Sequence, residues 1–214
     1  MSKLRIHSFA LSIDGYGAGR NQSVEHPLGA GGMRLHEWVF ETRTGRRMIG
    51  QDGGDSGTDD DFVARGFHNI GSWIIGRNMF GPVRGPWPDN SWKGWWGDNP
   101  PYHTSVFVLT HNPRPSLTMA GGTTFHFVTD GIQSALTRAR EAADGKDVRL
   151  GGGVATIRQY LLAQLVDEMH LAYSPALLGS GENLLHDIDL PALGYRLRSY
   201  TTTRKCLHVE ILKE

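Results

Sequence analysis

Three consecutive glycines, Gly151, Gly152 and Gly153, carry the clearest chemical signal in the chain, because they stand between two different periodicities. Val148 and Leu150 alternate with polar neighbours as a strand does, whereas Val154, Ile157, Leu161 and Leu165 recur at helical spacing. A strand that gives way to a helix through residues without Cβ atoms lets a ligand approach the backbone closely. The first helical turn then points its unpaired N–H groups and the positive end of its dipole at that ligand. An anionic pyrophosphate suits such a junction. Gly151–Thr156 is neither a Rossmann fingerprint, since the sixth position is Thr156, nor a P-loop, since no Gly-Lys-Ser/Thr follows. The alternative is a tight turn with no ligand.

Other segments end in the same manner. Ala10-Leu-Ser-Ile-Asp14-Gly15-Tyr16, Trp73-Ile-Ile-Gly76-Arg77-Asn78-Met79-Phe80 and Val106-Phe-Val-Leu109-Thr110-His111 each read as a strand closing in glycine or polar residues. In open α/β sheets ligands collect beyond the carboxyl ends of the strands, so these ends and the glycine loop are expected to share one crevice. Asp14 is read either as a polar substrate contact or as the cap of its own turn.

The elements that would position them alternate. Strands are expected at 4–11, 72–76, 105–109, 124–128, 147–151 and 169–174, with helices near 32–41, 59–68, 131–143 and 153–165, and a closing hairpin at 195–203 and 206–212. Strands separated by helices run parallel and the hairpin antiparallel, which gives an α/β fold with a central mixed, mostly parallel sheet and flanking helices. Thr58 is expected to cap helix 59–68, with Asp59, Asp60 and Asp61 facing the helix dipole. Two long loops remain, 42–57 and 81–104. The second holds Trp87, Trp92, Trp95 and Trp96, which either pack over the domain or a subunit interface, or line a pocket.

Composition narrows the functional classes. With 22 basic and 22 acidic side chains among 214 residues, the chain has no net charge to attract a nucleic-acid backbone. A chain of this length folds as one domain, 1–214, that buries about 70% of its unfolded surface. The single Cys206 excludes an intrachain disulfide and points to a reducing compartment, the cytoplasm, and no signal peptide or membrane span is readable. The ten histidines show no ligand spacing, so no metal is expected.

Taken in order and spacing, Ser12-Ile-Asp14-Gly15, Gly76-Arg77-Asn78-Met79, Val108-Leu109-Thr110, Leu150-Gly151-Gly152-Gly153 and Asp167-Glu168…Pro175-Ala-Leu-Leu-Gly179-Ser-Gly181 resemble the dihydrofolate reductase-like superfamily. The branch is that of the reductase domain of bacterial riboflavin biosynthesis, the RibD C-terminal domain, as a stand-alone member. The resemblance covers nearly the whole chain and implies that fold, an NADPH cofactor and hydride transfer to a C=N or C=O of a small, heterocyclic substrate. It places the cofactor against Ala10, Gly76, Arg77, Asn78, Met79, Leu109, Thr110, Gly151, Gly152, Gly153, Val154, Ala155 and Thr156. Arg77 and Thr110 would meet the 2′-phosphate, and Arg77 could otherwise be a surface arginine. For the substrate it suggests Asp14, Tyr16, Glu37 and Trp38, with Asp14 or water as proton source. Glu37 could equally be a solvated helix residue and Trp38 a core residue. A homodimer is expected. The rivals are a non-catalytic nucleotide- or ligand-binding protein of the same fold and an interaction protein that works through its tryptophan loop.

Overall fold

The computed structural model describes residues 2–81 and 85–214; Pro82, in the long tryptophan loop, lies outside them. Eleven strands and six α-helices form among these residues. The strands are β1 (Leu4–Ser12), β2 (Tyr16–Ala18), β3 (Ile70–Gly76), β4 (Ser105–Leu109), β5 (Leu117–Thr118), β6 (Thr124–Val128), β7 (Asp147–Gly152), β8 (Glu168–Ser174), β9 (Glu182–Asn183), β10 (Tyr195–Thr202) and β11 (Leu207–Lys213). The helices are α1 (Glu37–Glu41), α2 (Arg43–Met48), α3 (Thr58–Arg65), α4 (Arg77–Phe80), α5 (Ile132–Ala142) and α6 (Val154–Leu162).

Nine strands make one sheet in the order β10-β11-β8-β1-β7-β3-β4-β6-β5. The central run from β8 to β6 is parallel throughout, while β11 and β10 at one edge and β5 at the other run antiparallel. This is the mixed, mostly parallel sheet with a terminal hairpin expected from the sequence. Both faces of the sheet are covered. Ile74 belongs to the cluster of Leu4, Leu150, Leu136, Ile157 and Leu161, and its neighbours Trp73 and Ile75 belong to a second cluster with Val106, Val108, Phe80 and Phe125. A strand buried on both sides reads as an unbroken apolar run, as Trp73-Ile-Ile does. Ile157 and Leu161 are fully buried, and at about 1.5–3 kcal/mol each they hold α6 to the sheet independently of the glycines before it.

Four features depart from the sequence reading. The stretch 42–57 contains α2, whose N-cap Thr42 accepts from the Gly45 N–H at 3.0 Å, and the glycines around it masked the helix. Thr58 is the first residue of α3 rather than its cap; the N-cap is Gly57, and no side chain caps it. The short pair β2 and β9 forms a separate two-stranded flap. Finally, β1 carries a register shift between Ile6 and Phe9, with Ser8 at φ 51°. Such a bulge bends the strand immediately before Phe9 and Ala10.

Candidate functional site

The glycine loop lies where β7 passes into α6, and its three residues differ. A Cβ on Gly151 would sit 3.0 Å from Ile75 Cγ2, so the residue permits close strand packing. Gly152 has φ +123°, which L side chains rarely adopt, and a Cβ there would press on Phe9 at 2.9 Å and Met79 Sδ at 3.0 Å. Gly153 is the opposite case: its φ of −73° and ψ of −169° are ordinary, and a Cβ would meet nothing within 4 Å. The space beside Gly153 is open, and the Gly152–Gly153 peptide is cis. The first helical bond runs from Ile157 N to Gly153 O, and no side chain caps α6, so the N–H groups of Val154, Ala155 and Thr156 are available at the loop.

The end of β3 meets this junction. A Cβ on Gly76 would collide with the Thr156 hydroxyl, which brings the starts of α4 and α6 side by side. Arg77 Nη1 lies 3.5 Å from Thr110 Oγ1, and the guanidinium stacks over the Trp87 ring at 3.7 Å. Thr110, at the end of β4, also accepts from Asn112 N at 3.1 Å. The Asn78 amide donates to Gln22 at 3.2 Å, and Trp95 Nε1 donates to the Asn78 carbonyl at 3.0 Å. Leu109 is half-buried against the main core, and Ala155 is exposed. The pairing of Arg77 with Thr110, and of Gly76 with Thr156, brings together residues far apart in the chain.

A cavity of about 290 Å³ opens beside the loop, lined by Ala10, Asn78, Met79, Gly151, Gly153 and Val154, all cofactor residues expected from the resemblance. Its remaining walls are largely aromatic and apolar, and Phe67, Trp73, Trp95, Trp96 and Tyr102 contribute to them. The tryptophan loop therefore divides between two roles. Trp87 and Trp92 pack on the second core with their indole N–H groups donating to the carbonyls of Asn112 and Phe80, while Trp95 and Trp96 face the cavity.

The expected substrate residues lie elsewhere. Asp14 does not line the cavity; its carboxylate accepts from Leu178 N at 3.2 Å and Gly179 N at 2.6 Å, which ties the turn after β1 to the loop after β8. The Ser12 hydroxyl and those two backbone N–H groups hold the carboxyl below its usual range, so the group stays ionised and is poorly suited to donate a proton. Tyr16 lies in the flap opposite Asn183, outside the cavity wall. Glu37 is exposed at the start of α1. Trp38 is 2% exposed and packs edge-on to His208 at 5.2 Å, which makes it a core residue.

The sequence reading passed over Arg149, His7 and Gln22 in the cavity wall. Arg149 was available as a signal: a charge in the centre of a strand covered on both faces must be buried, and it is 8% exposed. The histidines scattered in sequence gather in the fold. His7, His170 and His208 pack around Phe62, with ring centroids 4.0 and 4.4 Å from it for His208 and His170. Ser8 N donates to His170 Nδ1 at 3.1 Å, His170 Nε2 faces His208 Nδ1 at 3.0 Å, and His208 Nε2 faces Asp59 at 2.8 Å. Each bond fixes the next tautomer along a chain of neutral rings. Burial lowers the pKa of His7 to about 3 and of His170 further. Among the described residues no cluster of His, Cys, Asp and Glu is arranged to hold a metal ion.

A mostly parallel sheet with glycine-lined helix starts at its carboxyl edge and an apolar crevice beside them defines an α/β protein with one candidate ligand site at the strand ends. The match to the RibD C-terminal domain family spans residues 5–209, and the chain belongs to that family. Solved structures share its fold. A protein provisionally assigned to riboflavin biosynthesis from Shewanella sp. PV-4 superposes with a TM-score of 0.59 at 16% identity, covering 100% of this chain and 99% of that one. A pyrimidine reductase-like protein from Corynebacterium diphtheriae gives 0.52 at 13% identity, over 99% and 91%. The deaminase/reductase of Thermotoga maritima, named for a diaminohydroxyphosphoribosylaminopyrimidine and a phosphoribosylaminouracil, gives 0.55 at 11% identity, over 99% of this chain and 57% of its own. The fold is thus that of the RibD C-terminal domain family, with the central mixed, mostly parallel sheet expected from the sequence. By sequence, no curated protein matches the chain.

Proposed function

We propose that the protein is an NADPH-dependent oxidoreductase that reduces a C=N or C=O bond of a small, flat heterocycle. The observation that carries this reading is the open space at Gly153, which with Val154 and Ala10 lines the cavity at the uncapped first turn of α6. The residues present fit a dinucleotide: Gly153 leaves the backbone bare for a pyrophosphate, Thr156 adds a hydroxyl beside Gly76, and Arg77 with Thr110 offers a charged donor pair for a 2′-phosphate. Stacking on Trp87 holds the guanidinium plane in place, which favours NADPH over NADH.

When bound, a nicotinamide cofactor supplies a hydride. Ala10, buried at the end of β1, keeps room for two stacked rings where a larger side chain would fill the space. Phe9, Met79, Trp95 and Trp96 wall the cavity and would hold the rings against each other, so the rate gain comes mainly from proximity and orientation. Because Asp14 is committed to Leu178 and Gly179, water supplies the proton that completes the reduction.

The working unit on this reading is one domain, assembled as a homodimer through β10, an edge strand with Leu197 and Tyr200 exposed at 56% and 69%. We place the protein in the cytoplasm, in keeping with the free, buried Cys206; no helix among the described residues is long and apolar enough to cross a membrane. The test is NADPH consumption against a panel of pterins, pyrimidines and small carbonyl compounds. Turnover with at least one member is expected, and binding of NADPH without any turnover would favour the ligand-binding rival of the same fold.

A further inference from the structure

Arg149 lines the cavity as a charge without an ion-pair partner among the described residues. Arg149 and Arg5 are register partners on neighbouring strands, β7 and β1, yet they are treated differently. Arg5 pairs with Glu168 at 2.7 Å and Asp147 at 3.3 Å. Arg149 has no ion pair among the described residues. It donates to two backbone carbonyls, Gly66 O at 2.7 Å and His7 O at 2.9 Å, and its buried Nε–H has no acceptor. Its guanidinium lies 4.4 Å from the Trp73 ring centroid and 5.0 Å from that of Phe67.

Arg149 is 8% exposed, and a buried guanidinium with two carbonyls and no carboxylate is electrostatically incomplete, because buried charges are normally paired. The same side chain lines the cavity. The titratable groups near it do not compensate: burial and the Arg149 charge keep His7 neutral, and burial keeps Tyr102 protonated, with its pKa raised to about 12. The cavity's acidic residue, Glu182, is engaged by Gln22 at 3.3 Å. Of the Lys and Arg side chains among the described residues, only Arg149 lines the cavity, and it does so between aromatic walls.

We propose that Arg149 is a substrate-binding residue, and that the cavity takes a planar aromatic or heteroaromatic ring whose anionic oxygen group docks on its guanidinium. The ring lies between Trp73, Phe67 and Tyr102, and the oxygens accept from the guanidinium N–H groups that the carbonyls of Gly66 and His7 leave unused. This names the substrate class for the reductase reading and rests on that reading only for the claim that the ring is reduced; the docking itself needs no cofactor.

The test is calorimetry on the full chain without cofactor, using 2-naphthoate and its uncharged isostere 2-naphthamide. The wild type is expected to bind naphthoate at least tenfold more tightly than naphthamide, since a charge-assisted contact is replaced by a neutral one. Arg149→Met should abolish that preference while leaving NADPH affinity within twofold, and Arg149→Lys should retain part of it. Equal affinity of the two probes for the wild type would overturn the inference whether or not the Met variant folds. So would a preference that survives in a folded Arg149→Met protein. A loss of NADPH binding by the wild type would count against the reductase reading and leave the naphthoate result to stand by itself.

Discussion

Two adjacent glycines should respond to substitution in opposite ways. Gly152→Ala forces an L residue to φ +123° and puts a methyl 2.9 Å from Phe9 and 3.0 Å from Met79 Sδ. Holding a non-glycine residue in such a region costs about 1–3 kcal/mol before any steric adjustment. For a chain of this size that lowers the Tm by roughly 3–10 °C. Gly153→Val has the reverse character. Its φ of −73° and ψ of −169° suit a β-branched residue, and no heavy atom lies within 4 Å of the added Cβ. The loss of glycine's freedom in the unfolded chain, worth about 0.4–1 kcal/mol, should leave the Tm unchanged or slightly raised. The side chain would instead occupy the space in which a pyrophosphate approaches the backbone, so NADPH binding should fall at least a hundredfold. Melting and calorimetric titration on the same preparation of each variant separate the two effects. A folded Gly153→Val protein with NADPH affinity within twofold of wild type would refute the reasoning, and so would equal losses of stability in the two variants.

Replacing Arg77 by Met should weaken NADPH about ten- to hundredfold and leave NADH nearly unaffected, from the roughly 1.5–3 kcal/mol of a charged contact to phosphate; parallel losses for both cofactors by calorimetry would remove Arg77 from the 2′-phosphate. His7 and His170 are buried and neutral, with folded pKa values below the unfolded 6.5, so the unfolded chain binds more protons as pH falls. Stability from these groups is complete above about pH 6.5 and drops by about 2 kcal/mol per histidine by pH 5, which urea midpoints at pH 7.5 and 5 should show. His170→Gln should remove about 2 kcal/mol of that dependence, leaving the shares of His7 and of the likewise buried His36, and a flat profile in the wild type would contradict the neutral-histidine assignment. The double substitution Leu197→Glu and Tyr200→Glu should convert a dimer to a monomer in light scattering without loss of secondary structure; a wild type that is monomeric at high micromolar concentration would dispose of the β10 interface.

The parts of the fold that were legible in the sequence are those in which each residue's burial follows from its own period. The six central parallel strands and α3, α5 and α6 stand within a few residues of where apolar spacing puts them. α2 was hidden because Gly45 and three arginines carry no apolar period, and its cap, Thr42, was the one local signal. The pairing of Gly76 with Thr156 and of Arg77 with Thr110 was readable because glycine and strand-end chemistry is local. The rest of the cavity wall was not, since strand register rather than any motif brings residues such as His7 and Arg149 into it. Asp14, Glu37 and Trp38 have suitable side chains but sit in a turn clamp, on the surface and in the core. Arg149 is one of the polar neighbours between Val148 and Leu150, and it is buried because β7 lies inside the sheet with both faces covered.

The central claim, that the junction of β7 and α6 binds a 2′-phosphorylated dinucleotide, is tested most directly by titrating the wild-type protein with NADPH and NADH in the calorimeter at one ionic strength. Saturable binding of one NADPH per chain, at least tenfold tighter than NADH, is the predicted result. A folded protein that binds neither dinucleotide would contradict it.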